Sequence, residues 1–397
     1  MTSEPPYTPG FGTSPPALVG RDDLVTSSLA GLAAGPSHPA FCRAILGLRG
    51  VGKTVLLDAI GSAAAERGWI VLTHQAIPEE PTAALLAARV AAAIPQGTRG
   101  GRSWLRGLRF GLNAGVARLD ADLSPPDREP AELEGALRAA GRRARSTGRG
   151  VLLSIDEAHV MGARDLAALS RAMQSVTRRE GLPVAVLLAG LPSFASAVAA
   201  SRATFFERLE SVSVGRLSGR EAAAALERPA AERGVTITPE ALTAMVHASE
   251  GWPYALQLVG FHAWEAAGGA TRIDADHAEA GIALATERLG RSFTARLETL
   301  RPGELAYLEA VVALGPGPVP ATKVASYLGR TDEQVAPTRH SLTETHHLLT
   351  SPSWGAVEVA VPILGTWLRR EAPLRPVAPS RPVPRPSARR TQLRVSR

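Results

Sequence analysis

The run Gly47-Leu-Arg-Gly-Val-Gly-Lys-Thr54 has the residue types and spacing of a phosphate cradle. Gly47, Gly50 and Gly52 let the chain curl tightly, so that successive backbone N–H groups, that of Val51 included, point inward around an anion. A helix starting near Lys53 adds the positive end of its dipole. Lys53 would reach the terminal phosphates as a slender point charge, and the Thr54 hydroxyl would ligate Mg²⁺. The chemistry implied is binding of a nucleoside triphosphate.

A second constellation belongs with it. Gly150-Val-Leu-Leu-Ser-Ile-Asp-Glu157 is an apolar run ending in two carboxylates. In a parallel sheet, ligands collect beyond the carboxyl ends of the strands. Asp156 would hold Mg²⁺ through water, and Glu157 would polarise an attacking water. His159 follows as a helix-start residue.

These residues need a scaffold. Short apolar runs at Phe41–Leu48, Trp69–Gln75, Val151–Ile155, Val184–Ala189 and Ser211–Val214 alternate with helical patterns at 54–67, 82–93, 131–147 and 163–180. That alternation predicts an α/β domain with a parallel sheet covered on both faces, over 18–215. An all-helical lid is expected over 216–290, with helices at 218–233, 238–249, 253–268 and 275–290. A capping box of Ser218 and Glu221 and the Thr238-Pro239 start mark two of those helices. Residues 291–372 predict three helices and a hairpin, the order of a winged helix-turn-helix, with a third helix capped by Thr331 and Gln334. Segments 1–17 and 373–397 bury too little apolar surface to offset chain entropy and are expected to be disordered tails.

The composition bounds the alternatives. The chain has 397 residues and a formal charge of +7. Seven arginines between Ala372 and Arg397, with no acid among them, account for all of that charge. The basic signal is therefore a tail on a neutral body. Cys42 is the single cysteine, which excludes an internal disulfide framework. No apolar run approaches the length of a membrane span, and the start lacks the pattern of a signal peptide, so a cytoplasmic protein is expected. The histidines lack Zn spacing.

Together these motifs resemble AAA+-like P-loop ATPases of the initiator and transposition-helper type, which grade into the STAND signalling ATPases. The resemblance covers about 18–290, with a winged helix often following. Val19-Gly-Arg-Asp-Asp-Leu24 is similar to the family's entry motif, which implies that Gly20 and Arg21 lie near the adenine. Gly47–Thr54 and Val151–Glu157 resemble Walker A and Walker B. Ala189-Gly-Leu-Pro192 falls where sensor 1 sits; Gly190 has no polar group to offer and Ser193 is the nearest substitute. Phe205-Phe-Glu-Arg-Leu209 resembles the segment carrying an arginine finger, which makes Arg208 a catalytic candidate across a subunit interface; the plainer reading is a surface ion pair with Glu207 or Glu210. Glu250-Gly-Trp-Pro-Tyr-Ala-Leu256 looks like the lid element, bringing Pro253 to the nucleotide. Tyr254 stands where initiator-type members often place an arginine, a departure toward the STAND side.

The expected function is an ATP-binding and ATP-hydrolysing molecular switch that requires Mg²⁺. Double-stranded DNA is the leading partner, through the winged helix, the arginine tail and residues 96–123, where Arg99, Arg102, Arg106 and Arg109 interleave with Trp104 and Phe110. Protein docking by the winged domain and a peripheral hairpin at 96–123 are the alternatives. The rival function is a STAND-type signalling ATPase acting through protein partners, and a homo-oligomer fits either.

Overall fold

The five apolar runs become the strands of one parallel sheet in the computed structural model, which describes residues 4–10, 18–93 and 129–371. They are β1 (Arg43–Leu46), β2 (Ile70–Gln75), β3 (Val151–Asp156), β4 (Val184–Gly190) and β5 (Glu210–Ser213). The spatial order is β2-β3-β4-β1-β5, so the strand before the glycine loop is separated from the acidic strand by β4. Parallel neighbours require crossovers, and helices α1 (Asp22–Ala34), α2 (Lys53–Glu66), α3 (Thr82–Ala93), α4 (Glu129–Ser146), α5 (Ala163–Met173) and α6 (Phe194–Ser201) provide the cover. Every residue of β4 is buried, as a central strand covered on both faces demands. This is the parallel-sheet P-loop NTPase fold.

The first strand is shorter than the expected Phe41–Leu48. Phe41 closes a single 3-10 turn, and Gly47 has already left the strand to begin the loop. A Cβ at Gly47 would lie 2.3 Å from the Val214 carbonyl oxygen, so only glycine allows the chain to turn there. Cys42 is buried, and burial pushes its thiol up to about 12, as for an inert core cysteine.

Beyond β5 come α7 (Gly219–Glu232), α8 (Pro239–Ser249), α9 (Pro253–Ala267) and α10 (Ala275–Leu297). The capping box of Ser218 and Glu221 forms, and the Thr238 hydroxyl accepts from Ala241 N at 3.3 Å. The segment is not wholly helical. Two-residue strands β6 (Thr236–Ile237) and β7 (Arg272–Ile273) pair in parallel, too short to leave a periodic signature. Helix α10 outruns its expected end at 290 and stops only ahead of Pro302.

Residues 4–10 correct the expectation of a disordered start. Pro6, Tyr7 and Pro9 are buried, with Tyr7 only 1% exposed. The arginine-rich segment 96–123 and the tail 373–397 lie outside the described residues.

Two compact units divide the chain, one up to Glu287 and one from Arg288. The expected boundary at 215/216 falls inside the first. The second holds α11 (Pro302–Ala313), β8 (Val319–Pro320), α12 (Ala321–Tyr327), α13 (Asp332–His340), β9 (Leu349–Thr350), β10 (Ala356–Val359) and α14 (Pro362–Glu371). Its sheet is antiparallel, in the order β8-β10-β9. Strand β8 and helix α14 were not legible in the sequence, being a two-residue strand and a short helix with Gly365 inside it. Leu364 and Leu368 of α14 are buried, and its Trp367 ring lies 5.8 Å from that of Phe293. The Thr331–Gln334 capping box starts α13 as expected.

Candidate nucleotide-binding site

Gly50 and Gly52 adopt φ of +77° and +90°, backbone that L side chains avoid. These two left-handed steps fold the loop between β1 and α2 back on itself and deliver Lys53 to the first position of the helix. Lys53 is 7% exposed, and its Nζ donates to the Leu48 carbonyl at 2.9 Å across the loop. Burial lowers its ammonium pKa, while the nearby Glu157 and Asp156 carboxylates oppose that shift. A buried cation at the mouth of such a loop is suited to pairing with phosphate oxygens.

The two carboxylates stand at the end of β3. The Thr54 hydroxyl donates directly to Asp156 Oδ2, and Asp156 Oδ1 accepts from Glu157 N at 2.8 Å. Hydroxyl and carboxylate oxygens brought together form the hard donor pair that Mg²⁺ prefers, since it keeps most of its waters and takes few protein ligands. Glu157 has φ of +52°, a strained conformation for a residue with a side chain and one that recurs at functional sites. Its buried Oε2 lies 3.3 Å from His159 Nδ1.

A cavity of about 440 Å³ opens in front of these groups, within the range of small-ligand pockets. Of the residues picked from the sequence, Arg21, Gly50, Val51, Gly52, Lys53, Thr54, Glu157 and Pro253 line it. Gly47, Gly20 and Asp156 act from behind the wall. Gly47 turns the strand, Gly20 at φ +72° leaves room for Glu221, and Asp156 meets the cavity through Thr54. Arg21 donates to the Gly215 carbonyl, and burial lowers its pKa against the raising effect of Glu221.

The loop is clamped to the start of α9. Tyr254 N donates to the Gly50 carbonyl at 3.2 Å, and a Cβ at Gly50 would lie 2.7 Å from Trp252 Nε1. Gly251 reaches φ +70°, and its carbonyl takes Leu217 N at 2.8 Å. The helical segment therefore contacts the phosphate loop through backbone, with Pro253 at the first helical position.

Arg208 is not brought to this cavity. It is exposed and lines a separate one of about 270 Å³ with Gln174, Arg178 and Phe205. Glu210, one ion-pair partner considered for it, accepts instead from the buried Arg43 at 2.7 Å. Gly190 ends β4 against the loop, its carbonyl accepting from Gly47 N at 3.1 Å.

Sequence reasoning missed Gln75, Thr8, Gly10, Leu217, Ala225 and Gln257, which also line the cavity. Gln75 carries a faint signal, because it pairs in register with Asp156 at the same end of the sheet. The others are brought in by tertiary packing alone. Among the described residues, no group of three or more His, Cys, Asp or Glu side chains could hold a metal ion, and no helix is long and apolar enough to cross a membrane.

Residues 39–198 match the family model of a AAA domain, and residues 291–368 match that of a domain of unknown function. The sequence matches no curated protein. The chain is similar in structure to a Walker-type ATPase of Pyrococcus abyssi, with a TM-score of 0.58 and 15% identity over 89% of this chain and 96% of that one. It is also similar to the ORC2 protein of Aeropyrum pernix in its ADPNP–ADP complexes, with a TM-score of 0.56 and 17% identity over 91% of this chain and 97% of that one. At such identities the likeness is one of fold.

Proposed function

We propose, from the match of residues 39–198 to the family model of a AAA domain, that the chain is an ATP-driven, Mg²⁺-dependent molecular switch that acts on DNA. The observation that carries this reading is the convergence of Lys53, Thr54 and Glu157 on one cavity, with Asp156 bonded behind Thr54. Inward N–H groups of the loop and Lys53 bind the triphosphate. Thr54 and Asp156 would hold Mg²⁺, which would neutralise charge on the phosphate oxygens. Glu157 orients a water and accepts its proton as the water attacks the terminal phosphorus, breaking the bond to the diphosphate leaving group. Residues 216–290 serve as the lid, because Trp252–Tyr254 already touch Gly50 and register what the loop holds. Arg208 would act on the site of a second copy of the chain, a role supported by its exposure outside this cavity.

The order of α11, β8, α12, α13, β9 and β10 supports a winged helix-turn-helix in the second unit. DNA contact there would fall to the β9–β10 hairpin, whose Trp354 is fully exposed, with the arginine tail adding salt-sensitive attraction. A second reading, protein docking in a signalling ATPase, is favoured by α13 itself. Arg339 is tied to Asp332 at 2.6 Å, and Glu333, Gln334 and Pro337 are exposed. A helix reading DNA normally presents more positive charge.

The experiment is steady-state ATP turnover with and without duplex DNA, for the full chain, the chain lacking 373–397, and Glu157→Gln. DNA-stimulated turnover that survives removal of the tail and is lost in the variant supports the DNA reading. Turnover indifferent to DNA moves the search to protein partners.

A further inference from the structure

The N-terminal segment that composition marks as tail is built into the wall of the nucleotide cavity. Tyr7 carries it. Its ring packs where Gly260 of α9 leaves no room for a Cβ, which would lie 2.7 Å from the tyrosine Cδ1. It also stands edge-on to Trp264, with centroids 6.5 Å apart and planes at 72°. Its hydroxyl donates to the Leu226 carbonyl of α7 at 2.7 Å.

The next residue reaches the cavity. Thr8 N donates to Gln257 Oε1 at 3.0 Å, and Thr8, Gly10 and Gln257 all line the wall. Each anchor therefore adjoins a wall residue: Leu226 follows Ala225, and Gln257 is itself in the wall. The phosphate end of the cavity is made of Lys53 and Thr54. Thr8 and Gln257 share the cavity wall with the apolar Val19, Leu217, Ala225 and Leu256, and apolar lining of this kind suits a flat nucleobase rather than a phosphate. Pro6 and Pro9 restrict the unseated segment, so seating it costs less entropy.

We propose that Pro6–Gly10 is a strap across the base end of the nucleotide cavity, with Tyr7 as the positioning residue that couples its seating to occupancy by the base. The strap and the base share one wall, so each stabilises the other, and a ligand without a base has no effect on the strap. This rests on the nucleotide-site reading above.

The test uses the full chain, Tyr7→Ala, Tyr7→Phe and Lys53→Ala, with ATP and inorganic tripolyphosphate as probes. Amide hydrogen exchange at Tyr7, Thr8 and Gly10 of the parent should slow about ten-fold or more on adding ATP and stay unchanged with tripolyphosphate. By calorimetry, Tyr7→Ala should weaken ATP about ten-fold and leave tripolyphosphate affinity as it was, with Tyr7→Phe between parent and Ala. Exchange indifferent to ATP overturns the strap, and so does equal weakening of both probes. If Tyr7→Ala fails to fold, exchange in the parent and the affinities of Tyr7→Phe decide. ATP affinity unchanged in Lys53→Ala would instead remove the nucleotide-site reading, an outcome distinct from failure of the strap.

Discussion

The Thr54 hydroxyl donates to the Asp156 carboxylate, joining the first turn of α2 to the end of β3 across 102 residues of chain. Neither residue could position the other through local structure. They meet because β1 and β3 are held in one sheet with β4 between them, and that pairing brings a hydroxyl and a carboxylate oxygen to a common point.

Asp156→Asn keeps an acceptor for Thr54 but removes the charge. ATP affinity measured by calorimetry with Mg²⁺ and with EDTA should differ in the parent, and the variant should lose about ten-fold or more of that difference. An undiminished Mg²⁺ effect would take Asp156 out of the metal site.

Lys53→Ala removes the loop's buried cation. ATP affinity should fall about 100-fold, equivalent to about 3 kcal/mol, as for loss of a charge-assisted hydrogen bond. The fold should persist, because Lys53 makes a single hydrogen bond to Leu48 within the described structure. Calorimetry paired with thermal unfolding separates the two effects.

Glu157→Gln leaves an amide that cannot accept the proton of water. ATP should remain bound while single-turnover hydrolysis slows about 100-fold or more. Parent-like turnover would assign the general base to another group.

His74 sets a pH dependence outside the site. It is 5% exposed on β2, and burial first, then the charge of Arg89, pushes its pKa down to about 4. Glu80 Oε2, 3.6 Å from Nε2, would favour the cation, but burial outweighs it. Between pH 6.5 and 4 the unfolded chain therefore binds a proton that the folded chain refuses. Stability from this group is complete above about 6.5 and is lost as pH falls toward 4. Urea unfolding at pH 7 and pH 4.5 should show the parent losing about 2 kcal/mol more than His74→Leu. Equal losses would mean the imidazole is accommodated as a cation.

Trp354→Ala tests the hairpin. Under the DNA reading, affinity for a duplex should fall about ten-fold by anisotropy, since an exposed aromatic anchor is removed. The slope of affinity against salt should not change, because tryptophan neutralises no phosphate. Unaltered DNA affinity would favour the protein-docking reading.

The chemistry of the phosphate end was written in the sequence. The glycine spacing from 47 to 52, the helix start at Lys53 and the acids closing Val151–Glu157 are local patterns, and local sterics make each mean one thing wherever it occurs. The alternation of apolar runs with helical periods likewise implied a parallel sheet, since parallel strands cannot be joined by tight turns. Other features depended on where distant segments come to rest. Tyr7 reads as tail because no neighbour in sequence can bury it; Leu226, Gly260 and Trp264, more than two hundred residues away, do so. Gln257 and Ala225 look like ordinary helix residues until α7 and α9 turn them toward the loop. Short-range spacing selects backbone shape and donor type, whereas the wall of a cavity is assembled from side chains whose proximity is a property of packing alone.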